Sequence, residues 1–362
     1  MNRAAVAAAL LAAGCGRSHF SPCGPPDAPV DVSPTSTANI AFVTSSKQLP
    51  TSFGADRSGA DAICNARAAA AGLPGNYLAW LSTSTESARD RLASSRGWVR
   101  TDGRPFVDRI DDLAIGKIYT PLFLDENGTL VTTSDPVPTA TFGGLTAGAD
   151  CNDYSNPAGQ IIVGSSGATA ESWTYANTTT ACSTPGRLYC FGTGKSAPLT
   201  FQPAPGRRAF LTVQNYSVDV AGLATADGLC ATEAQLAGLT GSYRALLAGT
   251  TATAISRFSL AGATWIRLDG IPLADSPLAF AAGARIAPLN VTSAMTYAGA
   301  IPVITGGGTV NAAAADYTAN CNDWTDVGGT SVTAVANYAD ATFFNNSSNE
   351  ACFGHPIYCL EE

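Results

Sequence analysis

Hydrophobic positions along this chain fall in short clusters, and their spacing predicts an alternation of strands and helices. Ile40–Thr44 (IAFVT) is an apolar run rich in strand-forming residues. From Gly59 to Ala71, the residues Ala60, Ile63, Cys64 and Arg67 recur at helical spacing. Ser58 is placed to cap that helix and Gly72 to end it, and the stripe puts Cys64 on the buried face. Leu73-Pro74-Gly75 then turns the chain into a strand over Tyr77–Leu81. Ser87–Leu92 reads as a second short helix, and Trp98–Thr101 as a strand ending in the turn Asp102-Gly103. Leu122–Val131 carries Asn127-Gly128, a hairpin signal. Beyond it lies a long stretch rich in Ser, Thr, Gly and Asn, which predicts loops and closes on a strand over Arg187–Phe191.

The same pattern then occurs again. Ala60-Asp61-Ala62-Ile63-Cys64 aligns with Ala226-Asp227-Gly228-Leu229-Cys230, and Ala71-Gly72-Leu73 with Ala237-Gly238-Leu239. Arg91 aligns with Arg257, Trp98-Val99-Arg100 with Trp265-Ile266-Arg267, and Asp102-Gly103 with Asp269-Gly270. Later, Cys151-Asn152-Asp153-Tyr154 matches Cys321-Asn322-Asp323-Trp324, and Leu188-Tyr189-Cys190 matches Ile357-Tyr358-Cys359. Matches this numerous and this collinear imply duplication. The expected organisation is a signal segment over 1–14, a tether over 15–38, one unit over 39–192, a Pro/Gly-rich linker over 193–207 and a second unit over 208–362.

Composition adds the compartment. Ten Cys are more than a reducing cytosol favours, and eight of them divide into two sets of four with nearly the same spacing. Each set of four admits three pairings. The long gaps, with no CxxC, argue against zinc. Asn2 and Arg3 precede the apolar segment Ala4–Ala13, and Leu11-Ala12-Ala13-Gly14-Cys15 resembles a lipobox. Cys15 is then the lipid-bearing residue of an outer-membrane lipoprotein, and Cys23 is left without a partner in the repeats. The membrane would be reached through that anchor alone. A net charge of −8 without a basic run excludes nucleic acid as a partner. Two His, at 19 and 355, cannot build the same triad in both copies, so the expectation is a protein without catalysis.

The early FVTS, GADAIC, AAGLPGNYLAWLS, SARDRL, WVRTDG, CND followed by Tyr or Trp, and the closing RLYCF together resemble bacterial endostatin-like domains of the leptospiral endostatin-like lipoprotein type, a branch of the C-type-lectin-like fold. The resemblance implies an α+β fold: two tandem units, each a mixed antiparallel sheet with one main helix and long disulfide-pinned loops. It also implies nested pairing, Cys64–Cys190 around Cys151–Cys182 and Cys230–Cys359 around Cys321–Cys352. The activity it implies is binding of extracellular ligands, such as matrix or host-type proteins, at a cell surface. A carbohydrate-binding module and a structural envelope protein are the other readings. The chain departs from true C-type lectins in having no Glu-Pro-Asn or Gln-Pro-Asp triplet, and from vertebrate endostatin in lacking its zinc histidines and basic heparin surface.

The candidate ligand-binding residues cluster at the second cysteine of each unit, Cys151 and Cys321. Asp150, Asn152, Asp153 and Asn156 in the first, with Asn320, Asn322, Asp323 and Asp326 in the second, offer oxygen atoms suited to calcium or to sugar hydroxyls. The competing role for such residues is to satisfy backbone groups in turns. No other metal or cofactor is implied. Trp324, among polar neighbours, is the tryptophan expected to be partly exposed and to stack on a ligand. Arg91, Arg257, Arg100 and Arg267 recur in both copies and are expected to form ion pairs that support the fold, with Asp102 and Asp269 as partners for the last two.

Overall fold

The computed structural model of the chain describes residues 37–362; the signal segment, Cys15, Cys23 and nearly all of the tether lie outside the described residues. The described chain is mixed α+β, mostly short strands with few helices and four disulfides.

The first helix runs Ser58–Ala70, one residue earlier at both ends than the spacing predicts. Ser58 is inside the helix, and Asp56 caps it by accepting from the Ser58 N–H (3.1 Å) and hydroxyl (2.7 Å). Gly59 explains the tight entry, because a Cβ there would meet the Ser52 carbonyl oxygen at 2.4 Å. The helix ends as predicted at Gly72, whose φ is 70°. The Leu73 N–H reaches the Ala68 carbonyl (2.9 Å) and the Gly72 N–H that of Ala69 (3.1 Å), the Schellman arrangement. The helix Leu223–Leu236 of the second copy closes in the same way through Gly238 and Leu239. Ala60, Cys64 and Ala68 are buried, as are Ala226, Cys230 and Ala234, whereas the Arg67 side chain turns outward.

Each copy builds its main sheet in one strand order. In the first it runs Asn76–Ala79, Tyr189–Thr193, Asn39–Val43, Trp98–Val99, Pro105–Val107. In the second it runs Tyr243–Ala245, Tyr358–Glu361, Arg207–Leu211, Trp265–Arg267. The opening strand pairs antiparallel with the closing strand (Phe42 opposite Cys190, Phe210 opposite Cys359) and parallel with the Trp-bearing strand. Cys64–Cys190 and Cys230–Cys359 therefore tie each helix to the strand beside the opening one. Cys151–Cys182 and Cys321–Cys352 close the long loops, each across 31 residues. All four bridges lie within a copy, in the nested pattern that the resemblance implies.

The long loops do not stay apart. Ala168 bridges Tyr338 in antiparallel fashion, flanked by the Thr169 N–H to the Asn337 carbonyl (2.8 Å) and the Ala339 N–H to the Gly167 carbonyl (2.9 Å). These residues are equivalents under the repeat: 167 aligns with 337, 168 with 338 and 169 with 339. Equivalent positions thus meet one another, which is the geometry of an isologous two-fold contact inside one chain. Buried Asn337 donates to the Thr169 carbonyl (2.8 Å) and Ser172 hydroxyl (2.9 Å). Arg104 pairs with Asp275 at 2.5 Å across the same seam. The linker packs rather than hangs free: Leu199 and Phe201 cover Tyr119, Ile271 and Ala287.

Candidate functional site

At the second cysteine, each copy makes a single left-handed helical turn. Cys151, Asn152, Asp153 and Tyr154 have φ of 64°, 53°, 48° and 64°; Cys321, Asn322, Asp323 and Trp324 have 57°, 53°, 51° and 67°. Left-handed residues cost roughly 1–2 kcal/mol each for L-amino acids, least for Asn and Asp. The surroundings hold the turn in place. The Asp153 carboxylate accepts from the Ser84 N–H (2.8 Å) and hydroxyl (2.7 Å), while Asp323 does the same with Thr250 (2.8 and 2.6 Å). Asp150 accepts from the Asp153 N–H (3.1 Å), and Asn320 from that of Asp323 (3.0 Å). The Ser84 N–H and hydroxyl hold the Asp153 carboxyl below its ordinary range. Burial acts to raise that of Asp323, but the two Thr250 donors outweigh it and the net direction is again down. Asp150 is raised, first by burial and then by the neighbouring Asp153.

Four of the nine predicted ligand-binding residues therefore hold their own backbone: Asp150, Asp153, Asn320 and Asp323. Asn152, Asn156, Asn322 and Asp326 are exposed, but they also serve local turns. Asn156 accepts from the Ala158 N–H (3.0 Å), Asp326 from that of Gly328 (2.9 Å), and Asn152 donates to Ser155. Among the described residues no group of three or more His, Cys, Asp or Glu is placed to hold a metal ion. The oxygens of Asp150, Asp153, Asn320 and Asp323 accept the hydrogen bonds that hold the turn.

Trp324 corrects an expectation. It is fully buried, its indole N–H donates to the Ala248 carbonyl at 3.0 Å, and no ring face is free for a ligand. In the left-handed turn its polar neighbours face outward while the side chain itself enters the core with Tyr216 and Cys321. Tyr154 occupies the aligned place and donates its hydroxyl to the Ser82 carbonyl, the equivalent of Ala248.

The repeated arginines are structural in both copies. Arg91 pairs with Asp61 (2.5 Å) and donates to the Ala79 carbonyl (3.0 Å); Asp61 in turn accepts from the Ala79 N–H (2.9 Å). Arg257, Asp227 and Ala245 reproduce the arrangement at 2.5, 2.7 and 2.9 Å. Arg100 pairs with Asp102 and caps the Pro121 carbonyl; Arg267 pairs with Asp269 and caps that of Pro288.

A cleft of about 640 Å³ opens where the linker and the two copies meet, and sequence reasoning missed it. Tyr119, Phe201 and Tyr297 line it with Met295, Lys117 and Asp269. The Tyr119 and Phe201 rings meet edge to face at 5.0 Å, and the Tyr297 hydroxyl donates to Asp269 at 2.7 Å. Burial pushes the Tyr119 phenol up to about 12. The signal that could have found this site is a break in the repeat: Lys117 aligns with Ala284, Tyr119 with Ile286, Tyr297 with Leu130 and Met295 with Gly128. Compared with known proteins, the chain matches no family model and no curated sequence.

Proposed function

We propose that this is an exported, non-catalytic binding protein, held at the outer membrane by lipid on Cys15 and displaying two endostatin-like, C-type-lectin-like units to extracellular ligands. What supports the lectin-like reading is the plan repeated in each copy: opening and closing strands paired, one main helix bridged to the closing strand, and a long loop closed by an inner disulfide. The observation that carries a binding role is the fusion of the two copies through buried hydrogen bonds, which makes a rigid double module. A body of this kind presents fixed surfaces and orders little on binding, which favours affinity. Export accords with four bridges buried in the two cores.

The ligand expected from the resemblance is a matrix or host-type protein. The aromatic cleft at the seam favours a second reading, in which the ligand is a polysaccharide. The full chain, produced in an oxidising compartment, is tested on a matrix-protein panel and on oligosaccharides. Saturable binding to either is expected, and silence on both would leave a structural envelope role. For the anchor, labelled fatty acid should enter the wild type and not Cys15→Ser.

A further inference from the structure

We infer that the seam cleft is a saccharide subsite that takes a neutral pyranose, with Tyr297 and Phe201 as stacking faces and Lys117 as hydrogen-bond donor; this rests on the reading of the protein as an extracellular binding module. A cleft of about 640 Å³ lies within the ~300–1,000 Å³ of small-ligand sites, and such sites favour domain boundaries. Its three rings offer apolar faces, and the two tyrosines add polar tips, which suits a sugar ring that is apolar on one side and hydroxylated at its edge. Tyr119, nearly buried, forms the floor, while Tyr297 and Phe201 are half-buried.

The charges select for a neutral ligand. Among the described residues Lys117 has no carboxylate partner; its ammonium lies 5.9 Å from the Tyr119 ring. That cation counts against a cationic guest. The Asp269 carboxylate is already satisfied by Arg267 (2.6 Å) and the Tyr297 hydroxyl, so it offers no free charge. An acidic polymer would meet a chain of net charge −8. The asymmetry between the copies supplies the independent support. The scaffold ion pair Arg267–Asp269 has its twin in Arg100–Asp102, whereas Lys117, Tyr119, Tyr297 and Met295 are replaced at the aligned positions by Ala284, Ile286, Leu130 and Gly128, and Phe201 of the linker has no counterpart. The two-fold contact thus creates two related positions, and only one is furnished with rings and a donor.

The test uses the full chain in calorimetric titrations with cellohexaose, chitohexaose, laminarihexaose and mannohexaose. Binding of at least one is expected. Tyr297→Leu and Lys117→Ala, each of which installs the residue of the other copy, should weaken that binding at least ten-fold with the thermal transition unchanged. If none of the four binds, the subsite assignment is wrong. If the same protein still captures a matrix protein, the binding-module reading survives that failure. Binding that persists in both variants and is lost in Asn152→Ala or Asn322→Ala would move the sugar to the long loops and overturn the seam assignment.

Discussion

The two copies hold the same stretch of backbone from different directions. In the first, Glu126 on the hairpin accepts from the Ser45 N–H (2.9 Å) and hydroxyl, and Arg67 of the helix stands 3.9 Å away. In the second, the helix provides the carboxylate. Glu233 accepts from the Val213 N–H (2.8 Å), the Gln214 N–H (2.7 Å) and the hydroxyl of Ser293 on the hairpin (2.6 Å). Arg67 aligns with Glu233, and Glu126 with Ser293. The fold requires an acceptor at this point in space, supplied in each copy by a buried carboxylate, and it is indifferent to which element carries it. The Arg–Asp networks, by contrast, keep both residue and position. Divergence at the seam cleft satisfies no such requirement and is the kind that a ligand explains.

The largest effect expected is on the outer bridges. Breaking Cys64–Cys190 or Cys230–Cys359 by double Ala substitution opens a loop of 126 or 129 residues, for which chain entropy predicts a loss of about 5 kcal/mol. The inner bridges close 31 residues and should be worth about 4 kcal/mol. Urea unfolding checks the order. Inner bridges that matter more than outer ones would show that strain in the left-handed turn, not loop closure, sets their contribution.

The ion pairs come next. Arg267 is fully buried and its partner Asp269 is 8% exposed, whereas Asp102 beside Arg100 is 29% exposed. Removing one partner from a buried pair typically costs ~3–5 kcal/mol by stranding the other charge. Arg267→Met should fall in that range, and Arg100→Met should cost distinctly less because water reaches Asp102. Equal losses in thermal or urea unfolding would mean that the capped Pro121 and Pro288 carbonyls, which the two copies share, dominate.

A rearrangement variant sharpens the opening comparison. Glu126→Ser alone strands the Ser45 N–H and should cost about 1–3 kcal/mol. Adding Arg67→Glu rebuilds the arrangement of the second copy within the first and should recover most of that loss. If the double variant is less stable than Glu126→Ser, the backbones of the two copies differ too much for the carboxylate to change sides.

Much of this architecture could be read in the residues, because duplication lets each position be checked against its twin. The helix stripe through Cys64, the Gly72 stop, the hairpin at Asn127-Gly128 and the Arg100–Asp102 pair all follow from local rules. The left-handed turn does not. Asn152 and Asp153 announce a turn, but nothing in Cys151 or Tyr154 marks a residue held at positive φ, since the cause is the packing of Tyr154 beneath Ser82 some 72 residues away. Trp324 departs from its expected exposure for the same reason: polar neighbours in sequence indicate exposure only when they share its face. The cleft was hidden because Lys117, Phe201 and Tyr297 come together only through the seam, and they lie where the repeat fails instead of where it holds.

The smallest effect concerns one atom pair in the turn. Asp150 and Asn320 both accept the N–H three residues on, but Asn320 also donates its amide to the Asp323 carboxylate at 2.8 Å, whereas Asp150 sets a second negative charge beside Asp153. Burial and that neighbour raise the Asp150 pKa. A raised carboxyl favours the fold below its unfolded pKa, and the benefit is lost as pH rises through the folded value, so at neutral pH Asp150 works against stability. Asp150→Asn should thus stabilise at pH 7, by under about 1 kcal/mol once solvent screening is allowed for, and the gain should vanish below about pH 4, where the unfolded carboxyl is itself protonated. Asp153, lowered by Ser84, has the opposite sign: its contribution is present above the unfolded pKa and fades as pH falls through the folded one. Urea unfolding of wild type and variant at both pH values separates the two terms. A loss at pH 7 would show that the carboxylate, through its hold on the Asp153 N–H, does more for the left-handed turn than the repulsion takes away.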